Sequence, residues 1–249
     1  MATTNGGSAR VAVVTGGSRG IGRACAEKLA GDGFAVVLNF ASNAAEADNT
    51  TEAIRGAGGI AVTAQGDVAD ESAMAAVFDR AESEFGGVDV VVHAAGRMQL
   101  APLVDLDLAV LDSMYRTNIR GTFVVDQQAA RRLRPGGAIV NFSTSVVGAA
   151  FPTYGAYAAG KGAVEALTMI LARELRGRDV TVNAVAPGPT ATDLFLHGKD
   201  DATIQRLADA VPLQRLGTPA DIAAVVAFLA SPHGHWINGQ IIRANGGLV

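Results

Sequence analysis

The chain has 249 residues, of which 49% are hydrophobic and 18% charged, with a formal net charge of −4 and a single cysteine, Cys25. This apolar content excludes an intrinsically disordered chain, and one cysteine excludes a disulfide framework or a cysteine-based zinc site. No block of basic residues is present, which argues against nucleic acid or an anionic membrane as the main partner.

The amino-terminal segment and the longest apolar run bear on location. Residues Met1–Arg10 are polar, rich in Gly, Ser and Thr, and lack the apolar stretch of a signal peptide. The longest apolar run, Ile222–Ala230, is far shorter than the ~18 residues that a membrane span requires. We therefore expect a flexible leader over residues 1–9, a single domain over residues 10–249, and a cytoplasmic location without a membrane partner.

Short apolar runs alternate along the chain with longer amphipathic stretches. The apolar runs are Val11–Val14, Ala35–Leu38, Ile60–Thr63, Val88–Val92, Ala138–Phe142, Val180–Ala184 and Gln240–Arg243. The amphipathic stretches are Ile21–Ala30, Ala44–Ala57, Ser72–Phe85, Leu108–Leu133, Tyr154–Arg176 and Ala220–Ala230. Val- and Ile-rich runs without alternation are typical of parallel strands that are buried on both faces. The pattern predicts an α/β fold, a single Rossmann-type doubly wound domain with helices on both faces of a parallel sheet.

Residues 188–216 interrupt this alternation of strands and helices. The stretch contains Pro189, Pro212 and a mixed cluster of charges. Because an insertion at the carboxyl edge of a sheet usually forms a loop or a lid, we expect this stretch to cover a substrate.

A glycine-rich turn follows the first predicted strand, where residues 11–22 read VAVVTGGSRGIG. Glycines allow a backbone to approach a pyrophosphate, and the following helix start offers free N–H groups. The spacing is G-x-x-x-G-x-G, and a plain tight turn is the alternative. The position after the first strand favours nucleotide binding.

The end of the second strand bears on the choice between NAD and NADP. Folds that bind NAD place an acidic residue here to hold the ribose 2′-hydroxyl, whereas this chain has Phe40, and the next carboxylate is Glu46. Arg19 in the glycine turn is a cation suited to a 2′-phosphate, and Ser42 and Asn43 add neutral hydrogen-bonding groups. The alternative for Arg19 is a solvated surface charge. This composition favours NADP(H) over NAD(H).

Tyr157 and Lys161 form a Y-x-x-x-K spacing in a predicted helix, so that the two side chains share one face. A nearby cation stabilises a phenolate, and such a tyrosine can exchange a proton with a carbonyl oxygen. The spacing alone is more typical of an ordinary amphipathic helix, because such pairs are frequent. A run of hydroxyl side chains, Ser143, Thr144 and Ser145, ends the preceding strand, where ligands of such sheets are expected.

Together these motifs resemble the short-chain dehydrogenase/reductase family, near its 3-oxoacyl-(acyl carrier protein) reductase-like and glucose dehydrogenase-like branch. The likeness covers residues 10 to 249 and includes Thr15-Gly16-x-x-x-Gly20-Ile21-Gly22, Gly66-Asp67-Val68, Asn118, Tyr157-x-x-x-Lys161, Pro187-Gly188 and the segment PLQRLGTPADIAAVVAFLASPHGHWINGQIIRANGG.

The resemblance implies a role for each matching position. Tyr157 is the implied general acid/base, Lys161 lowers its pKa and holds the nicotinamide ribose, Asn118 anchors a water of the proton relay, and a serine hydrogen-bonds the substrate carbonyl. The implied cofactor-binding residues are Gly16, Ser18, Arg19, Gly20, Ile21, Gly22, Phe40, Ser42, Asp67, Val68, Ala94, Ala95, Gly96, Tyr157, Lys161, Pro187, Gly188, Thr190 and Thr192. A homotetramer is also implied.

Two positions depart from the family pattern. His93-Ala94-Ala95-Gly96 stands where the family often has Asn-Asn-Ala-Gly, and we interpret His93 as a buried structural residue rather than a catalytic one. The usual spacing of the family serine lands on Thr144. The Ser-Val-Val-Gly sequence instead marks Ser145, with a following loop that is one residue shorter. We prefer Ser145, with Ser143 as the fallback.

Three residues near the carboxyl-terminal end of the chain, His233, His235 and Trp236, are weaker candidates for a functional site. His233 and His235 lack neighbouring ligands, so we expect a surface turn and no metal site. Trp236 fits either the folded core or a subunit contact.

These patterns predict an NADP(H)-dependent oxidoreductase that interconverts a ketone and a secondary alcohol. The alternatives are an NAD-linked sugar or polyol dehydrogenase, and a non-catalytic cofactor-binding sensor. The apolar residues of 97–103 and of the loop after Pro187 favour a moderately apolar small-molecule substrate.

Overall fold

A computed structural model describes residues 9–249, so that nearly all of the predicted leader lies outside the described residues. The strands are β1 (Val11–Thr15), β2 (Ala35–Phe40), β3 (Ile60–Gln65), β4 (Val88–His93), β5 (Leu133–Phe142), β6 (Val180–Pro187) and β7 (Ile241–Ala244). The helices are α1 (Gly20–Gly31), α2 (Ala44–Gly56), α3 (Glu71–Phe85), α4 (Leu108–Tyr115), α5 (Gly121–Arg132), α6 (Val146–Ala149), α7 (Gly155–Glu174), α8 (Asp193–Leu196), α9 (Asp201–Asp209) and α10 (Pro219–Ala230). Each predicted strand is present within a few residues of its predicted bounds.

The seven strands form one parallel sheet in the order β3-β2-β1-β4-β5-β6-β7. From β1 the chain builds the sheet outward through β2 and β3, and it then returns to the other side of β1 and builds outward from β4 to β7. The direction of strand order therefore reverses between β1 and β4. Ligands of such sheets bind in the crevice at the carboxyl ends of the strands where this reversal occurs. The predicted Rossmann-type fold is therefore confirmed, and its topology places the glycine turn after β1 at this crevice.

The core has two layers, one on each face of the sheet. Leu29 of α1 and Val226 of α10 belong to the layer on one face, while Phe78 of α3 and Leu171 of α7 belong to the layer on the other. The strands β1, β2 and β4 are buried along their whole length, which is why their sequences are almost continuously apolar, whereas the edge strands β3 and β7 are partly exposed.

The structure differs from the sequence prediction in two stretches. The single helix predicted over Leu108–Leu133 is divided by a π-helical turn, Arg116–Arg120, between α4 and α5. The stretch 188–216 is more regular than predicted, because it contains α8 and α9. The π-helical turn and the stretch that contains α8 and α9 lie near the carboxyl end of the sheet, beside the candidate site described below.

Trp236 is 99% exposed, so the alternative that placed it in the core of this chain is wrong. Cys25 is buried in α1, and burial raises the pKa of its thiol to about 12. Over residues 9–249, no helix combines the length and the apolarity needed to cross a bilayer.

Candidate active site

The glycine turn brings the backbone of β1, α1 and the loop after β4 into close contact. Gly16 and Gly20 adopt φ values of +62° and +55°, which favour glycine. A Cβ at Gly16 would lie 2.8 Å from backbone atoms of Ala95, and a Cβ at Gly22 would lie 2.2 Å from the Gly16 carbonyl oxygen. The turn is therefore shaped for a close backbone approach, as a pyrophosphate site requires.

The start of α1 is open for an anion. Its first residue is preceded by Arg19, which has an extended backbone and gives the helix no side-chain cap. Arg19 is exposed, and its guanidinium makes no hydrogen bond or ion pair within residues 9–249. Ser18 lies beside it, and its carbonyl accepts from Thr50 Oγ1 at 3.3 Å. Free N–H groups, the helix dipole and an unpaired cation together suit phosphate groups.

The end of β2 carries no carboxylate that would repel a 2′-phosphate. Phe40 is buried, and Ser42 is exposed just after the strand. Asn43 caps α2 by accepting from the Glu46 backbone N–H at 3.2 Å. Glu46, the next carboxylate of the chain, therefore belongs to the first turn of α2. These residues and Arg19 fit NADP(H), the cofactor that the sequence predicts.

Asp67 and Val68 border the same end of the sheet after β3. Asp67 accepts from the Ala69 N–H at 2.9 Å and pairs with Arg116. Val68 is buried against Gly121, where a Cβ would lie 2.8 Å from a Val68 methyl group. The structure therefore brings these two predicted positions to the cofactor side of the fold.

Tyr157 and Lys161 lie one turn apart on α7. The Lys161 side chain is buried, and its Nζ donates to the Phe142 carbonyl at 2.7 Å. The same Nζ lies 5.9 Å from the centroid of the Tyr157 ring. The ammonium is thus held between the end of β5 and the tyrosine.

The pKa values differ from what the family resemblance implies. Burial raises the pKa of Tyr157 to about 12, the nearby Tyr154 adds to this, and the Thr144 hydroxyl opposes it. The burial effect exceeds any lowering of the Tyr157 pKa by Lys161, and the lowering that the resemblance implies stays a prediction. Burial also lowers the pKa of Lys161 to about 8. At neutral pH, Tyr157 is therefore protonated and Lys161 is charged.

The three hydroxyls after β5 have different partners. Ser143 Oγ donates to Glu165 Oε1 at 2.6 Å. Ser145 Oγ donates to the Ala186 carbonyl at 3.1 Å and accepts from Asn245 Nδ2 at 3.0 Å. Thr144 is the hydroxyl that acts on the pKa of Tyr157.

Unlike Ser143 and Ser145, Thr144 makes no side-chain bond to another element among the described hydrogen bonds. Thr144 is therefore an alternative to Ser145, and the choice between them stays a prediction. The pairing of β5 with β6 continues into the hydroxyl run, since Ser143 N donates to Val185 O at 2.8 Å and Ser145 N to Pro187 O at 2.9 Å. Ser145 therefore faces β6. The family spacing, which lands on Thr144, agrees with this geometry.

His93 ends β4 and joins it to β1. Its Nδ1 lies 2.8 Å from Thr15 Oγ1, which also accepts from the Ala95 N–H at 3.2 Å. Burial lowers the pKa of His93 to about 3, and Lys161 adds to this effect, so the imidazole is neutral. The geometry agrees with a structural role for His93.

Asn118 lies in the π-helical turn and is buried. Its Oδ1 accepts from the Arg97 N–H and its Nδ2 donates to the Arg97 carbonyl, each at 2.8 Å. A Cβ at Gly96 would lie 3.4 Å from Asn118 Oδ1 and 3.6 Å from Lys161 Nζ. Asn118 therefore holds the loop after β4 beside the lysine, and Gly96 is small enough to fit between them.

An open cleft joins the tyrosine to the nicotinamide side predicted from the sequence. It contains Tyr157, Lys161 and the three hydroxyls. The predicted cofactor residues that line it are Ile21, Ala94, Gly96, Pro187, Gly188, Thr190 and Thr192. The apolar side chains that line it are Met98, Phe142, Val146, Phe151, Leu194, Phe195 and Leu248, and Tyr154 also contributes. Lys161 is the only charged side chain among these described lining residues.

Sequence reasoning missed Phe151, Tyr154, Asn245 and Leu248. Phe151 and Tyr154 pack edge to face, with ring centroids 6.2 Å apart. Their proximity to Tyr157 in the sequence was a usable signal. Leu248 is brought to the cleft only by the fold, and no local pattern identifies it.

Comparisons with known proteins identify the family of this chain. A family model described as enoyl-(acyl carrier protein) reductase matches residues 16–249. The chain is 43% identical to a short-chain type dehydrogenase/reductase of Picea abies, over 96% of this chain and 92% of the relative. It is 40% identical to an NADPH-dependent aldehyde reductase-like chloroplastic protein of Arabidopsis thaliana, over 96% of this chain and 94% of the relative.

Among solved structures, a short-chain dehydrogenase of Burkholderia cenocepacia in complex with NADP superposes with a TM-score of 0.90 at 38% identity. The match covers 96% of this chain and 97% of that one. The chain belongs to the short-chain dehydrogenase/reductase family and is an oxidoreductase of that family. The branch within the family stays a prediction.

Proposed function

We propose that the protein is an NADP(H)-dependent reductase that interconverts a ketone and a secondary alcohol. The observation that carries the proposal is one cleft that contains Tyr157, Lys161 and Thr144 and opens onto the predicted nicotinamide positions. The shared cleft supports a mechanism in which a proton donor and a hydrogen-bonding hydroxyl act beside the predicted nicotinamide position.

When bound, NADP(H) supplies the hydride to the carbonyl carbon or accepts it from the alcohol carbon. Arg19 and Ser42 would hold its 2′-phosphate, and the N–H groups at the start of α1 would hold its pyrophosphate. Lys161 would hold the nicotinamide ribose, while Pro187, Gly188, Thr190 and Thr192 would flank the ring. The relatives that are named NADPH-dependent or bound to NADP support this choice.

Tyr157 is the proposed general acid/base. Its hydroxyl is protonated at neutral pH and gives its proton to the carbonyl oxygen as the carbon–oxygen double bond becomes a single bond. The charge of Lys161 stabilises the phenolate that remains, and Asn118 anchors a water that returns a proton to the site. In the reverse direction the phenolate removes the alcohol proton.

Thr144 is proposed to donate a hydrogen bond to the carbonyl oxygen. Its hydroxyl accepts from the Val146 N–H at 3.3 Å, which leaves its proton for a substrate. Ser145, the residue preferred from the sequence, already donates its proton to Ala186 and is the alternative donor if that bond breaks. A donor placed in advance at the carbonyl oxygen stabilises the negative charge that develops there.

Binding of NADPH and NADH, followed by turnover with a ketone panel, tests this function. We expect NADPH to bind more tightly than NADH and to be consumed with an apolar ketone. Tighter NADH binding with oxidation of a polyol would support the NAD-linked dehydrogenase. Tight binding without turnover by any ketone or polyol would contradict the reductase and support the cofactor sensor.

The subunit arrangement and location belong to the same proposal. Trp236 and Phe228 expose large apolar surfaces, 99% and 45% accessible, which is consistent with the homotetramer implied by the resemblance. Sedimentation of the purified protein tests the homotetramer. The cytoplasmic location stays a prediction, which fractionation of cells expressing the protein tests.

A further inference from the structure

The segment Asn245–Val249 follows β7 and reaches back to the substrate cleft. Leu248 of this segment lines the cleft that also contains Tyr157 and Thr144. A Cβ at Gly148 of α6 would lie 3.5 Å from a Val249 methyl group, so the segment packs beside the loop after β5. The segment is therefore part of the cleft wall, although about a hundred residues of chain separate it from the hydroxyl run.

Asn245 holds this segment by satisfying both ends of its amide. Its Nδ2 donates to Ser145 Oγ at 3.0 Å and to the Val249 carbonyl at 3.2 Å. Its Oδ1 accepts from the Gly247 N–H at 3.0 Å, and its own carbonyl accepts from the Leu248 N–H at 3.3 Å. One side chain thus closes the turn and ties it to the hydroxyl run.

The backbone of the turn leaves little freedom in where Leu248 lies. Gly246 and Gly247 have φ values of +64° and +93°. A Cβ at Gly246 would lie 2.6 Å from a methyl group of Val211, and the Gly246 carbonyl accepts from the Leu213 N–H at 3.3 Å. The turn is fixed from the outside by the segment after α9 and from the inside by Ser145.

The chemistry of the wall indicates what Leu248 contacts. Apart from Lys161 and the hydroxyls of tyrosine, serine and threonine residues, the described side chains that line the cleft are apolar. The only charged one, Lys161, donates to the Phe142 carbonyl. Such a wall binds an uncharged apolar group, because a phosphate or carboxylate there would lose its hydration without gaining a cation. A leucine at the boundary limits the size of that group.

We propose that Leu248 is a specificity-determining residue that limits the size of an uncharged aryl or alkyl ketone, and that Asn245 positions it through Ser145. This inference rests on the proposed function, since it names the substrate class of the same cleft. Asn245 acts through Leu248, so its removal changes which ketones fit and leaves the proton donor in place.

Equilibrium binding of two neutral ketones tests the proposal apart from turnover. Calorimetry with acetophenone and 2-acetylnaphthalene measures whether the second ring fits in the wild type, Leu248→Ala and Leu248→Trp, in protein saturated with NADP. We expect Leu248→Ala to favour the larger ketone by roughly tenfold relative to the smaller one, and Leu248→Trp to reverse this ratio. Leu108→Ala, at an exposed leucine of α4 that does not line this cleft, is the matched control and should leave the ratio unchanged.

A second variant tests the positioning role. Asn245→Asp keeps the acceptor for Gly247 and loses the donor to Ser145 and Val249, so we expect the size ratio to shift in the direction of Leu248→Ala. Equal effects on both ketones, or no effect, would overturn the proposal. Failure of either ketone to bind any of the proteins would also overturn it, whereas size-dependent binding without NADPH consumption would contradict only the proposed function.

Discussion

Lys161 Nζ lies 5.9 Å from the centroid of the Tyr157 ring and 2.7 Å from the carbonyl oxygen of Phe142. The lysine is therefore attached to the end of β5 and faces the tyrosine from there. The tyrosine is half-buried and its pKa is raised to about 12, so it is protonated at neutral pH, as the proposed proton donation to a carbonyl oxygen requires. After proton donation, the negative charge of the Tyr157 phenolate would lie beside the fixed ammonium of Lys161.

Removal of the Tyr157 hydroxyl should abolish most turnover. We expect Tyr157→Phe to lower kcat by roughly 10²–10⁴-fold, the range of general acid catalysis, while NADPH binding and thermal stability stay near those of the wild type. Steady-state kinetics and fluorescence titration measure both. Tyr115→Phe, the same change outside the cleft lining, is the control. Wild-type turnover in Tyr157→Phe would contradict the proposed role.

The reduction rate should fall as pH rises through the pKa of Lys161. Burial lowers this pKa to about 8, so the ammonium is charged below that pH and neutral above it, while Tyr157 stays protonated. A profile of kcat/KM against pH measures the fall. Lys161→Arg keeps its charge at every accessible pH, so we expect that variant to be less active but to lack the fall near pH 8. A similar fall in both proteins would mean that another group titrates.

The two neighbouring hydroxyls should be separable by mutation. We expect Thr144→Val to lower kcat about 10²-fold, because it removes a donor at the carbonyl oxygen and nearly preserves volume, and Thr144→Ser to restore most of the loss. Ser145→Ala removes the acceptor of Asn245, so its main effect should be on KM for large ketones. Steady-state kinetics with acetophenone and 2-acetylnaphthalene distinguish the roles of the two hydroxyls. The opposite pattern would restore Ser145 as the donor.

Cofactor preference should depend on Arg19. The arginine is unpaired in the described structure, so we expect Arg19→Gln to weaken NADPH binding by about tenfold or more, the effect of losing a charge-assisted hydrogen bond, and to leave NADH binding unchanged. Arg23→Gln is the control, since Arg23 pairs with Glu27 within α1. Equal weakening of both cofactors by Arg19→Gln would place the arginine at the pyrophosphate.

Asp126 should make stability depend on pH. Burial raises its pKa to about 7, although the Asn141 amide, which donates at 2.9 Å, opposes this. The folded state therefore retains a proton that the unfolded state releases above about pH 4, and stability falls as pH rises from there to about 7. Asp126→Asn should flatten the dependence and gain roughly 3–4 kcal/mol of unfolding free energy above that range.

Urea unfolding at several pH values measures this prediction. Asp48→Asn, a change at an exposed carboxylate of α2, serves as the control and should leave the pH dependence intact. An Asp126→Asn variant that loses stability equally at every pH would show that the carboxylate is needed for its hydrogen bond to Asn141 and not for its proton.

The sheet was predictable because each strand is a continuous apolar run, as in Val88–His93, and because burial on both faces removes the alternation. The π-helical turn was not predictable, since Arg116–Arg120 has no composition that distinguishes it from α-helix. Tyr157 and Lys161 were predicted from their spacing together with the family resemblance. The orientation of the neighbouring hydroxyls depends on hydrogen bonds between strands, which local sequence does not encode, so the choice between Thr144 and Ser145 stays a prediction.

The hydrogen bond between Asn245 and Ser145 also means that the substrate cleft is completed late in the synthesis of the chain. The strands β1 to β5 and the glycine turn are made early, so the cofactor half of the crevice can assemble while later residues are still being added. Leu248 is made after every strand of the sheet, and until it arrives the hydroxyl run has one wall missing. A nascent chain that ends before β7 would therefore lack Leu248 and the bond from Asn245 to Ser145, and its cleft would be open on that side.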